Sequence, residues 1–209
     1  SSTIHKQINS AAFMLSSCWA MTTSWDAYFE SSTNGAPLYL TVMNSVDVSQ
    51  VATLPPVKHF EILINSLTLG DGTKNELKSA VEDCYKIAIN ITADENNTST
   101  NYSNIAIFRW LSISTYEPDP EATVQEQLIW SLILCHWAML CQRRKKVWYF
   151  EDIAAPLFNE FLADLREAGI LDDDTTWPIW REGLRYLANT AALSLEDMIF
   201  IPGSVDEDR

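Results

Sequence analysis

The sequence predicts an all-α fold of about seven helices packed around one central apolar helix at about residues 121–142. Three observations predict it. Apolar residues recur at helical spacing through most of the chain. Capping residues and Pro/Gly breaks divide that pattern into helix-length pieces. One piece, Gln127–Gln142 (QLIWSLILCHWAMLCQ), carries no formal charge. A helix with apolar residues on every side has to be covered on every side.

Each element follows from local chemistry. Residues 3–29 place Ile4, Ile8, Ala11, Ala12, Leu15, Trp19, Trp25 and Phe29 at helical spacing. Ser31–Pro37 (SSTNGAP) breaks that pattern, and Leu38–Met43 fits a short strand or an extended segment near 38–43. Pro55-Pro56 opens the next helix, which ends before a turn at Gly70-Asp71-Gly72. Thr73 with Glu76 reads as a capping box for a helix through Leu77, Ala80, Val81, Cys84, Ile87, Ala88 and Ile91. Asp94–Asn104 (DENNTSTNYSN) is a polar loop, and a shorter helix covers about Asn104–Ser114.

Glu117-Pro118-Asp119-Pro120 is a stiff, acidic lead into the central helix. Glu151–Ala168 reads as an amphipathic helix stopped by Gly169. Asp172-Asp173-Asp174 is a loop, and Thr176 caps a helix with Pro178 in its first turn. Ser194 with Asp197 starts a last short turn, and residues 204–209 form a frayed acidic tail. There is no internal repeat and no sustained heptad. The organisation is a single helical domain over 1–209, or one domain of two lobes joined near 94–104.

Composition bounds the function. At 47% hydrophobic and 11% aromatic, the chain buries a full core, which excludes global disorder. Eight Trp residues supply large surfaces for cores and for contacts between chains. The formal net charge of -14 opposes bulk coating by nucleic acid, and no DNA partner is expected. The charge is uneven: residues 151–209 hold fourteen acids against four bases, while 101–150 hold five bases against four acids. Acidity of this kind still leaves room for a narrow basic groove on an acidic body.

The four cysteines, Cys18, Cys84, Cys135 and Cys141, form no CxxC pair and no zinc spacing. Scattered in apolar stretches, they read as small core residues in a reducing, cytoplasmic compartment. Asn90, Asn96, Asn97 and Asn101 begin Asn-x-Ser/Thr sequons, which matter only on the secretory route.

The uncharged helix and the basic block behind it resemble a membrane span with a positive flank. Length decides against a span. Sixteen helical residues rise about 24 Å, short of the roughly 30 Å hydrocarbon core.

The candidate site is that basic block: Arg143, Arg144, Lys145 and Lys146, the densest positive charge in the chain. As a site it grips phosphates or an acidic protein surface. As structure it offsets the helix dipole and satisfies the last carbonyls. His136, inside the apolar run, reads as a buried neutral histidine with one partner. His5 and His59 have no acidic partner at metal-ligand spacing, so no metal and no cofactor are implied. Helical isoprenoid cyclases hold magnesium with a DDxxD motif, but Asp172-Asp173-Asp174-Thr175-Thr176 lacks the later acid. Asn75, Ser79 and Asp83 match the second magnesium set only loosely and on the wrong side of it. Glu151, Asp152 and Glu160 fit acid–base work, yet first-turn carboxylates are what the helix dipole favours anyway. No nucleotide-binding, hydrolase or zinc-protease pattern is present.

Phe13–Ala20 (FMLSSCWA) is similar to short stretches of helical viral coat proteins, and no functional position is carried over from it. The expectation is a non-catalytic, oligomeric helical protein acting through protein–protein contacts or self-assembly. A second expectation is a structural subunit of a helical assembly, such as a viral coat or nucleoprotein in a virion, binding RNA through the basic block. A third is an enzyme or small-molecule binder with an apolar pocket among the Trp-bearing helices.

Overall fold

The structure is a computed structural model that describes residues 46–94, 107, 110, 123–143 and 154–191. Among these the secondary structure is helical, in six helices and no strands. The chain divides into two compact units, Ser1–Pro120 and Glu121–Arg209. The expected segment at Leu38–Met43, the helix over 3–29, the loop after Asp94 and the acidic tail lie outside the described residues. Of the expected helix near Asn104–Ser114, Ile107 and Trp110 are described, both helical and buried.

In the first unit, α1 spans Val48–Thr53. The sequence reading did not anticipate it. Its start is set by Asp47, whose side chain accepts the Ser49 N–H at 2.9 Å. That is the N-cap pattern in which a carboxylate satisfies a first-turn donor. Hydrogen bonds from Ser49 hold the Asp47 carboxyl below the usual carboxylate range.

Helix α2 spans Pro55–Ser66, with prolines in its first turn where a missing N–H costs nothing. Leu54 joins the two helices. Its N–H donates to Val51 O at 3.0 Å, and its own carbonyl accepts from Lys58 N at 3.0 Å. It is extended (φ -65°, ψ 133°), as a residue before proline must be. Val57, Phe60, Leu63 and Ile64 form the buried stripe of α2.

Helix α3 spans Asp71–Asp94. This corrects the expected start. The first helical bond runs from Lys74 N to the Gly70 carbonyl at 3.0 Å. Gly70 is thus the cap, Asp71 and Gly72 belong to the first turn, and Thr73 is too far inside to cap. Asp71 sits where the helix dipole favours an acid. Lys74 then reaches back to the Asn65 carbonyl at 3.3 Å, serving one of the last carbonyls of α2. α1, α2 and α3 pack pairwise, and Leu77, Ala80, Val81, Cys84 and Ile87 line the core side of α3.

In the second unit, α4 spans Val124–Arg143. An N-cap absent from the sequence reading starts it. The Thr123 hydroxyl accepts the Glu126 N–H at 3.3 Å, and its carbonyl accepts from Gln127 N at 3.1 Å. Thr123-x-x-Glu126 ahead of an apolar run is the sequence sign of that start. Every residue from Leu128 to Cys141 is buried. Ser131 tolerates this by donating to the Gln127 carbonyl one turn back, at 2.9 Å.

Helix α5 spans Ala154–Glu167 and α6 spans Trp177–Ala191, and both pack on α4. Phe161 of α5 meets Trp180 of α6 with ring centroids 6.1 Å apart, tilted by 50°. Gly169 ends α5 at φ 70°. Its N–H donates to Arg166 O at 2.9 Å and the Ile170 N–H to Leu165 O at 3.0 Å. This pair of bonds is the Schellman closure, which needs a left-handed residue at the glycine.

Candidate functional site

The structure places one member of the basic block. Arg143 is the last residue of α4. Its side chain, and all of Arg144, Lys145 and Lys146, lie outside the described residues. The block therefore begins in the last turn of α4, at the end where the dipole favours cations.

Other basic groups that are described take part in local structure. Lys86 pairs with Asp83 at 2.8 Å, one turn apart on α3. Arg185 pairs with Glu182 on α6, and its guanidinium lies 5.8 Å from the Tyr186 ring centre. The exposed Arg185–Glu182 pair contributes little to stability, while the Lys86–Asp83 pair is part-buried.

The Asp172–Asp174 loop has a structural job. Asp173 accepts the Thr175 N–H at 2.9 Å, the Thr175 hydroxyl at 2.6 Å and the Thr176 hydroxyl at 2.8 Å. These bonds favour the ionised form and hold the carboxyl down at about 2. Its carbonyl also accepts Trp177 N at 2.8 Å. Asp173 thus organises the entry to α6, and Thr176, at the cap position, spends its hydroxyl on Asp173.

One cluster stands out chemically, and the sequence reading gave no reason to promote it. Glu160 and Asp164 lie one turn apart on α5, at the edge of the stripe formed by Leu157, Phe161 and Leu165. Both Glu160 carboxyl oxygens are shut away from solvent. Burial first, and the Asp164 charge second, push its pKa up to about 7. The Cys135 thiol of α4 faces the same region and donates to the Leu157 carbonyl at 3.8 Å. Burial, then Glu160 and Asp164, push that thiol well up. A carboxyl titrating near neutrality can carry a proton. A thiol held protonated is a poor nucleophile. The signal in sequence was an acid pair at i,i+4 beside an apolar stripe, where like charges repel.

The expected burial of Trp130, Ile133, Leu134 and Trp137 is observed, and His136 is buried with them. Of the five described Trp residues, Trp110, Trp130, Trp137 and Trp180 are buried and Trp177 is half-buried. Most of that aromatic surface is thus committed within the chain rather than offered to a ligand. Among the described residues, no group of three or more His, Cys, Asp and Glu side chains is placed to hold a metal ion. No helix among them is long and apolar enough to cross a membrane. Asn90, which begins the first sequon, lies within α3 and donates its side-chain amide to the Lys86 carbonyl at 3.0 Å. The sequons at Asn96, Asn97 and Asn101 lie outside the described residues.

No protein-family model, no curated protein and no solved structure matches this chain.

Proposed function

We propose that this chain is a non-catalytic helical protein that acts by contact with other protein chains, copies of itself first. The observation that carries the reading is Ile62. It is 65% exposed, on the side of α2 away from Val57, Phe60 and Ile64. An aliphatic side chain there adds nothing to its own core and gains when a partner covers it. Val48, 53% exposed, opens α1, which packs on α2, so these two exposed aliphatics belong to one helix pair, while Val124, 59% exposed, opens α4 in the other unit. In this reading α4 is the helix around which α5 and α6 pack, with the segment near Asn104–Ser114 as a seventh helix. The compartment is reducing and intracellular, supported by the buried thiols of Cys84, Cys135 and Cys141.

A second reading is a structural subunit of a helical assembly, such as a coat or nucleoprotein, holding RNA at Arg143, Arg144, Lys145 and Lys146. Charge favours it: these four residues are the one basic cluster in a chain of net charge -14. A few phosphate contacts there would attract RNA while the acidic body repels it elsewhere.

Mass by light scattering, across concentration and at two salt levels, tests both. The first reading expects species heavier than the 23.7 kDa monomer and a lower mass for Ile62→Lys. A wild-type monomer at every concentration overturns it. Neutralising the four basic residues separates the roles of the block. A shallower salt dependence of RNA binding with assembly intact supports the RNA reading. Loss of the oligomer without nucleic acid makes the block a subunit contact. A variant unchanged in fold, assembly and RNA affinity leaves it a helix cap.

A further inference from the structure

We draw no further inference here: the strongest candidate, the carboxyl–thiol cluster of Glu160, Asp164 and Cys135 where α5 packs on α4, rests on the raised pKa values of Glu160 and Cys135 alone, and nothing in the structure points to a ligand for it.

Discussion

Trp110 donates its indole N–H to the backbone carbonyl of Ala80 at 2.9 Å, across thirty residues of sequence and with both partners buried. The bond fixes the position of Trp110 along α3. Trp110→Phe keeps most of the ring and removes the donor, so about 1–2 kcal/mol of stability should go. Trp110→Ala should lose about 3–5 kcal/mol through the cavity it leaves. Urea unfolding followed by circular dichroism measures both. A Phe variant as stable as the parent would mean the bond contributes nothing net.

Trp137 is 2% exposed on a helix with no polar face between Leu128 and Cys141. Trp137→Ala should therefore cost about 3–5 kcal/mol. The same unfolding experiment reads it, and a cost below about 1 kcal/mol would place this side chain at a surface.

Stability should fall as pH rises through the Glu160 titration. The folded chain holds the Glu160 proton up to about 7, while the unfolded chain releases it near the ordinary carboxyl value of 4.5. Between those values the folded state binds more protons, so raising the pH favours unfolding. The benefit is complete below 4.5 and lost as the pH passes 7. The carboxyl oxygens are covered but the residue as a whole is only half-buried, and solvent screening limits the effect to roughly 1 kcal/mol. Glu160→Gln should flatten this part of the pH profile. An unchanged slope in that variant assigns the effect to another group.

Two glycines should answer alanine in opposite directions. At Gly169 an added Cβ would meet nothing within 4 Å, so the cost comes from the positive φ alone, about 1–2 kcal/mol. At Gly72, in the first turn of α3, the added Cβ is equally unobstructed and no positive φ intervenes. Gly72→Ala should gain about 0.4–1 kcal/mol by restricting the unfolded chain. Thermal melts of the pair test this, and a neutral Gly169→Ala would remove the Schellman account of how α5 ends.

Native thiol titration should leave Cys84, Cys135 and Cys141 silent, because all three are buried. Burial, reinforced by Asp83, also pushes the Cys84 thiol well up, and Cys135 is held likewise. After denaturation without reductant, all four cysteines of the chain should react. Fewer than four would reveal a disulfide and count against an intracellular setting.

The long periodic segments were legible in the sequence because their signal repeats over several turns. Pro55-Pro56 opened α2 and Gly169 stopped α5, as their chemistry requires, and Thr176 stood at the entry of α6 with its hydroxyl turned to Asp173. The helix starts were harder, because a cap rests on one or two residues and several candidates compete. Thr73-x-x-Glu76 has the letters of a capping box, but Gly70 and Asp71 already sit in position three residues earlier. Thr123-x-x-Glu126 has the same letters and does form the cap. Helix α1 is too short to show a period, so only its Asp47 cap could have announced it. The basic block was visible as charge alone. The Glu160 cluster was not, because its character depends on how closely α5 lies against α4.

Leu54 has a mechanical consequence. A joint of one residue, closed by hydrogen bonds on both sides, has no slack. One residue added there would turn α2 by about 100° about its axis relative to α1. Val57, Phe60 and Ile64 would swing off the core, and Ile62 would swing toward it. The joint can change its side chain but not its length, so α1 and α2 behave as one cranked rod rather than two hinged pieces.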